Sequence, residues 1–125
     1  LYREGQLTQL TRDHTLVEKW VQRGLIDAAT ALTHPERHIL TKGLGMGVDM
    51  KPELTETPIT HHDLIVLCSD GLTKMLEHTA IASVLSRANG DPHRACHDLV
   101  EQALSRGGED NVTVIVVAYR SPAVG

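Results

Sequence analysis

The chain has very few aromatic side chains and no long apolar run. Its 125 residues include two Tyr, one Trp and no Phe, so a surface that stacks the bases of single-stranded nucleic acid has almost no material. The net charge of −4 at pH 7 also disfavours a basic face that binds phosphate backbones. The longest apolar runs, 64–68 and 114–118, are far shorter than the roughly 20 residues of a membrane-spanning helix. We therefore predict no nucleic-acid partner and no membrane segment in this chain.

Cysteine is scarce as well, with only Cys68 and Cys96 in the chain. The first ends an apolar run and the second falls on the apolar side of a predicted helix, so both are predicted to be small buried hydrophobes rather than a disulfide pair. A cysteine nucleophile for phosphate esters needs a loop of N–H groups that opens a helix, whereas Cys68 lies in a strand pattern. We therefore predict a reducing, cytoplasmic location without cysteine-based catalysis.

The spacing of apolar residues predicts one domain, or a large piece of one, that mixes strands with helices. Strands are predicted at 1–3, 6–10, 38–41, 53–57, 64–68 and 112–119, the first two forming a hairpin. Helices are predicted from 16 to about 24 with Asp13 as N-cap, at 28–32 with Asp27 as N-cap, at 77–88, and from 91 to the C-cap at 107–108. The inward faces of the last two helices are predicted to carry Ile81, Val84, Leu85 and Ala88, and then Ala95, Cys96, Leu99, Val100, Ala103 and Leu104.

The run 64–68 ends in Ser69-Asp70-Gly71. Because the run is apolar without interruption, it indicates a strand covered on both faces. An Asp at the end of such a strand is held by rigid backbone, which is how a Mg²⁺ or Mn²⁺ site positions a hard oxygen ligand. Judged by position alone, Asp70 is more simply explained as the cap of a helix that starts near Leu72.

A second acidic cluster, 107–111, leads into the last predicted strand. Asp is depleted in strands, so the position of Asp110 at the start of a strand calls for an explanation. Turn formation with its Gly and Asn neighbours is a simpler explanation than metal binding. Taken together, Asp70 and Asp110 flank two strands that could be neighbours in one sheet. The two carboxylates could then meet at one edge of that sheet.

The chain also contains eight histidines, which raises the question of zinc. His93 and His97 are four residues apart on a predicted helix and could chelate from one face. The HExxH pattern is absent, and His93 falls in an exposed first turn. Structural or solvated histidines are therefore the preferred interpretation.

Four segments follow one another in a recognisable order. They are Leu10-Thr11-Arg12-Asp13-His14-Thr15-Leu16-Val17, His34-Pro35-Glu36-Arg37-His38-Ile39-Leu40-Thr41, Leu67-Cys68-Ser69-Asp70-Gly71-Leu72 and Asp110-Asn111-Val112-Thr113. In this order they resemble the second half of bacterial PP2C-like (PPM) serine/threonine protein phosphatases. The resemblance extends from Tyr2 to about Tyr119, and several ordered motifs are more specific than any one of them.

The resemblance implies an α+β fold, the C-terminal half of a four-layer α/β/β/α sandwich in which helices flank two antiparallel sheets. It assigns 1–120 to a partial PPM-type phosphatase domain, about 13–37 to a flap beside the active site, and 121–125 to a loose C-terminal end. It further implies two Mn²⁺ or Mg²⁺ ions, with a weaker third, that activate a water, so no side chain is the nucleophile. Asp70 and Asp110 match metal ligands, whereas Gly71 and Asn111 match residues beside those ligands.

The chain departs from the family pattern in two ways. His38, Lys42 and Gly43 stand where Asn, Arg and Ala are usual, and none of these changes removes a metal ligand. More seriously, the family's first half, with its Asn-Glu-Asp, Asp-Gly-x-Gly-Gly-His and Gly-Asp-Ser-Arg stretches, has no counterpart here. Two carboxylates cannot neutralise two divalent cations, so this chain alone is predicted to bind metal weakly and to be inactive.

Two functional hypotheses follow. In the first, the full-length form hydrolyses phosphoserine and phosphothreonine in proteins that are substrates of a serine/threonine kinase. In the second, the chain is a non-catalytic PP2C-like regulatory or interaction module. Retention of both Asp70 and Asp110 favours the first, because an interaction module has no physical need for either carboxylate.

Overall fold

A computed structural model of the chain describes residues 1–47 and 51–122. The elements, in chain order, are β1 (Tyr2–Arg3), β2 (Gln6–Leu7), α1 (Leu16–Gln22), α2 (Ala28–Thr33), β3 (Leu64–Cys68), α3 (Asp70–Met75), α4 (His78–Ala88), α5 (Pro92–Ser105) and β4 (Val114–Ala118). The predicted α+β class is confirmed. The chain divides into two compact units, one formed by Leu1–Leu10 with Thr57–Gly125 and the other by Thr11–Glu56.

The first unit is built on a four-stranded antiparallel sheet with the order β2-β1-β3-β4. The predicted hairpin is confirmed as the short pair β1 and β2. The strand predicted at 64–68 is confirmed as β3, and the last strand is shorter than predicted. β3 and β4 pair along their whole length, from Leu64 opposite Ala118 to Cys68 opposite Val114. This pair is the rigid base on which the candidate site is built.

The core of this unit lies where α4 and α5 cover one face of the sheet. All four residues predicted to face inward on α4 are buried. On α5 the buried residues are Ala95, Leu99 and Ala103, so the prediction for Leu104 is wrong: its side chain is 53% exposed. The buried residues recur every four positions, and Leu104 lies about 100° around the helix from that stripe. The predicted Gly107-Gly108 stop is confirmed, because the Gly108 N–H donates to the Ala103 carbonyl oxygen at 3.2 Å.

The opposite face of the sheet is apolar and exposed. Leu67 and Ile115, which pair across the strands, are 53% and 55% exposed, and Val117 is 45% exposed. The prediction that β3 is covered on both faces is therefore wrong for the described residues, because α4 and α5 pack only on the side of Val66, Val114 and Val116. Since successive side chains of a strand point to opposite faces, covering one side leaves the other side bare.

The cysteines differ from each other in burial. Cys68 is the last residue of β3 and is exposed, so its predicted burial is wrong, whereas Cys96 is partly buried. The thiol of Cys96 donates to the Val114 carbonyl oxygen at 3.8 Å. Neither cysteine forms a disulfide, as predicted.

The second unit contains α1 and α2. Thr15 caps α1, because its hydroxyl accepts a hydrogen bond from the Glu18 N–H at 3.3 Å. The prediction that Asp13 is the N-cap is therefore wrong, since the N-cap lies two residues later. Asp27 caps α2 as predicted, accepting from the Thr30 N–H at 2.7 Å. A β-branched hydroxyl residue next to the first helical turn serves as well as an Asp, so the sequence alone did not separate the two caps.

Two predicted strands of the second unit do not form. Within 38–41 the structure has only an isolated bridge between Thr15 and Leu40, and 53–57 contains no strand. A strand needs a continuous partner for its N–H and C=O groups, and a single bridge does not supply one. Of the predicted loose C-terminal end, residues 123–125 lie outside the described residues. No helix among the described residues is long and apolar enough to cross a membrane.

A buried ion pair joins the start of the sheet to the loop before β3. Asp63 is 1% exposed, and its two carboxylate oxygens accept hydrogen bonds from Arg3 Nε at 2.8 Å and from an Arg3 terminal nitrogen at 2.6 Å. The Thr60 N–H donates to the same carboxylate at 2.6 Å. The hydrogen bonds from Arg3 first, helped by those from Thr60, hold the pKa of Asp63 well below its usual range despite its burial. Bidentate pairing of this kind is what a buried carboxylate requires.

Candidate metal centre

The candidate site lies at one end of the β3–β4 pair. Because the strands are antiparallel, the chain leaves β3 after Cys68 at the same end where it enters β4 before Val114. Ser69 continues the pairing outside the strands, since its N–H donates to the Thr113 carbonyl oxygen at 3.0 Å. The antiparallel pairing therefore places Asp70 and Asp110, 40 positions apart in the sequence, at a common edge.

Asp70 is the first residue of α3 and not its cap. Ser69 holds the N-cap position, and its side chain makes no capping hydrogen bond. The Asp70 side chain is 70% exposed, and its Oδ2 lies 2.8 Å from the Nζ of Lys74, one helical turn further on. The simpler explanation of Asp70 as a helix cap is therefore wrong, and its carboxylate points to a cation.

Asp110 lies at a bend in the chain and contacts the same cation. Its Oδ1 accepts a hydrogen bond from the Asn111 N–H at 2.8 Å, and its Oδ2 lies 2.8 Å from Lys74 Nζ. Since both Oδ2 atoms lie 2.8 Å from one nitrogen, they are at most twice 2.8 Å, or 5.6 Å, apart. The structure thus places Asp110 beside Asp70, and its role as a metal ligand stays a prediction.

The contacts between Lys74 and the two carboxylates shift the pKa values of Asp110 and Lys74. The hydrogen bond from Lys74, aided by the N–H of Asn111, lowers the pKa of Asp110. The hydrogen bonds to Asp110 and Asp70 raise the pKa of Lys74 in return. Lys74 was missed in the sequence analysis, although an Asp four residues before a Lys on a helix is a recognised signal for an ion pair.

Ser69 is a second residue that the sequence analysis missed. Its hydroxyl donates to the Asn111 carbonyl oxygen at 2.9 Å and accepts from the Thr113 N–H at 3.0 Å. A single side chain thus ties the end of β3 to the loop that carries Asp110. No local pattern reveals such a bond, because its partners are more than 40 residues away.

Gly71 allows the first turn of α3 to approach that loop closely. A Cβ atom on Gly71 would overlap the Asn111 carbonyl oxygen and would lie 2.9 Å from the Asn111 carbonyl carbon. Both obstacles are backbone atoms, so no side-chain rotation relieves them. Gly71 and Asn111, predicted to stand beside the metal ligands, are therefore in direct contact, with Asn111 contributing its backbone.

We expect Gly71→Ala to separate the two carboxylates. The added methyl group must push α3 away from the 110–111 backbone, at a cost of about 1–3 kcal/mol in the free energy of unfolding. Chemical denaturation of the full-length protein measures this cost. Gly47→Ala is the matched control, because a Cβ there meets nothing within 4 Å and the backbone is not in the left-handed region. A Gly71→Ala variant as stable as wild type would contradict the close approach.

The side chains at this edge fit a hard divalent cation in part. Carboxylate oxygens are the ligands that Mg²⁺ and Mn²⁺ prefer, and two of them already converge on one positive charge. Among residues 1–47 and 51–122, however, no group of three or more His, Cys, Asp or Glu side chains is placed to hold a metal ion. His93 and His97 are both exposed on α5. Asp70 and Asp110 can therefore contribute to a metal centre, but they do not complete one.

The chain is similar to a known family of proteins. The family model described as protein phosphatase 2C matches residues 36–112. The serine/threonine phosphatase stp of Listeria welshimeri is 35% identical over 117 residues, which cover 94% of this chain and 46% of that protein.

Solved structures give the same relationship. The S. agalactiae serine/threonine phosphatase superposes with a TM-score of 0.85 at 35% identity, over 95% of this chain and 48% of that one. The catalytic domain of the phosphatase PstP, in complex with two manganese ions, gives a TM-score of 0.74 at 35% identity, over 91% of this chain and 46% of that one. The chain spans about half the length of these relatives. On the family match, which covers more than half of its residues, the chain belongs to the protein phosphatase 2C family.

Proposed function

We propose that the chain supplies one side of a dinuclear metal centre in an enzyme that hydrolyses phosphoserine and phosphothreonine in proteins. The observation that carries the proposal is the convergence of Asp70 Oδ2 and Asp110 Oδ2 on one cation, at 2.8 Å each. The PstP catalytic domain bound to two manganese ions supports Mn²⁺ as the metal, and Mg²⁺ and a weaker third ion are part of the proposal.

In this proposal Asp70 and Asp110 hold the metal and no side chain acts as nucleophile. Bound divalent ions would supply an activated water and Lewis-acid stabilisation of the phosphoryl oxygens. Gly71 sets the distance between α3 and the loop, and Asn111 holds the Asp110 carboxylate through its N–H. Both carboxylates are accessible from solvent, which a phosphoprotein substrate requires.

We further propose that the 125 residues are inactive alone. Two carboxylates carry a charge of −2, whereas two divalent ions carry +4, so other ligands have to come from residues outside this set. The bare sheet face of Leu67, Ile115 and Val117 supports the same idea, because a patch of exposed apolar side chains is typical of an interface. We propose 1–120 as this part of the phosphatase domain.

Two further assignments belong to the proposal. Residues of about 13–37, within the second compact unit, are proposed to form a flap that helps to select phosphorylated proteins. Those proteins are proposed to be substrates of a serine/threonine kinase. A cytoplasmic location is proposed because cysteines outside disulfides are typical of reducing compartments.

Metal removal from the full-length protein tests this function. We expect chelation to lower the hydrolysis of phosphoserine and phosphothreonine peptides at least about tenfold, and added Mn²⁺ to restore it, because the nucleophile is a metal-activated water. A phosphotyrosine peptide of the same sequence is the control for specificity. Turnover that survives complete chelation would refute the metal mechanism. No turnover with any metal would favour the non-catalytic module.

A further inference from the structure

We propose that Lys74 is the built-in counter-ion of the Asp70–Asp110 pair, and that a divalent cation enters the site by displacing its ammonium group. This inference rests on the proposed function and deepens it. Lys74 would then be a positioning residue that sets the metal affinity of the site. It would not be a metal ligand or a catalytic residue.

The position of the ammonium group carries this inference. Lys74 Nζ lies 2.8 Å from Asp70 Oδ2 and 2.8 Å from Asp110 Oδ2. Asp110 Oδ1 already accepts the Asn111 N–H, so Oδ2 is the Asp110 oxygen left for a metal, and Lys74 contacts that atom. An ammonium and a divalent cation cannot both lie between the same two oxygens, since they would overlap and repel each other.

The ion pairs of Lys74 offset the repulsion between the two carboxylates. Two carboxylates within 5.6 Å of each other, twice the 2.8 Å distance to Nζ, would repel and would drive the ends of α3 and the 110–111 loop apart. One ammonium between them offsets this repulsion while leaving a net charge of −1. The two carboxylates therefore keep their positions and still attract a dication.

The Lys74 side chain can leave without damage to the core. It is 32% exposed and begins on an exposed position of α3, whereas the buried residues of that helix are Gly71 and Leu72. A long lysine side chain can move its charge to solvent while its stem stays on the surface. Displacement then costs two ion pairs at an exposed site, each of which contributes little.

Direct Mn²⁺ binding to the metal-free full-length protein tests the inference. The loss of the free-ion signal in electron paramagnetic resonance measures bound Mn²⁺ without any need for turnover. We expect Lys74→Met to bind Mn²⁺ about threefold to tenfold more tightly at this site, because no ammonium has to be displaced. Lys74→Arg keeps the charge and should stay within about twofold of wild type.

Two controls separate this inference from the proposed function. Arg94→Met removes a cation from another i,i+4 pair, Arg94 with Asp98 at 3.7 Å, and should leave Mn²⁺ binding unchanged. Asp70→Asn should weaken binding at least about tenfold. If Asp70→Asn weakens binding while Lys74→Met leaves it unchanged or weaker, the counter-ion inference is wrong and the metal assignment stands. If Asp70→Asn binds like wild type, both fail.

A second readout follows the lysine itself. Addition of Mg²⁺, which is diamagnetic, should shift the ε-methylene NMR signal of Lys74 as its ammonium leaves the two carboxylates. The signal should not shift in Asp70→Asn at the same Mg²⁺ concentration. A Lys74 signal that stays in place while Mg²⁺ saturates the wild-type site would overturn displacement.

Discussion

We expect Asp70→Asn to lower the Mn²⁺-dependent turnover of a phosphoserine peptide by the full-length protein by about 100-fold or more. The amide keeps the size of the side chain but removes one of the two negative charges that this chain offers to a metal. Metal-assisted stabilisation is worth several kcal/mol, and each 1.36 kcal/mol of barrier is tenfold in rate. Initial rates at saturating peptide, over a range of Mn²⁺ concentrations, measure the effect.

The matched control for this prediction is Asp98→Asn. Asp98 also lies four residues from its cation, Arg94, in an ion pair on the helical surface of α5. Its replacement should leave turnover within about twofold of wild type. Asp110→Asn should act like Asp70→Asn, and the double variant should be little worse than either single one, because ligands of one centre act as a unit. Normal turnover by Asp70→Asn would remove the metal-ligand assignment.

Arg3→Met is expected to lower the melting temperature of the protein by about 10 °C or more at pH 7. The Arg3 side chain is 37% exposed, whereas the Asp63 side chain that loses its partner is 1% exposed. That carboxylate retains only the hydrogen bonds from Thr60, and a buried charge without its partner is strongly destabilising. Thermal unfolding followed by circular dichroism measures the shift. Arg94→Met, which removes an exposed Arg paired at 3.7 Å, is the control and should change little.

The pH dependence of the melting temperature tests the same ion pair. In the folded wild type the pKa of Asp63 lies well below its ordinary value of 3.8, so the ion pair stabilises the fold fully above about pH 5. As the pH falls below that value, the unfolded chain takes up a proton first and the stabilisation is lost. The difference in melting temperature between wild type and Arg3→Met should therefore shrink below about pH 5. A difference that is the same at pH 3 and pH 7 would contradict the role of the ion pair.

Local patterns predicted most elements of the first unit. The apolar run of β3 and the amphipathic face of α4, like the Asp27 cap of α2 in the second unit, each depend on residues that are close together in the sequence. Predictions failed where stability depends on distant partners. The strands predicted at 38–41 and 53–57 do not form, because among the described residues no continuous strand pairs with them. One face of β3 is exposed, because α4 and α5 pack only on its other face.

Some residues of the candidate site were predicted from the sequence and others were not. Asp70, Gly71, Asp110 and Asn111 were identified from sequence motifs, and the structure brings all four together, although their role in binding metal stays a prediction. Ser69 and Lys74 were not identified. The partners of Ser69, and the Asp110 partner of Lys74, lie 36 to 44 residues away in the sequence, beyond the reach of any periodic pattern. Only the pairing of Lys74 with Asp70, four residues apart, follows a local pattern.

The sequence by itself determined the family resemblance, the α+β class and the positions of the two carboxylates, because each is written in local spacing or in the order of motifs. Only the tertiary structure decided that the carboxylates share one ammonium, that Gly71 must lack a side chain and that one face of the sheet is bare. The physical reason is that these features arise from antiparallel pairing of β3 with β4, which joins segments some 40 residues apart and fixes distances that no local rule contains.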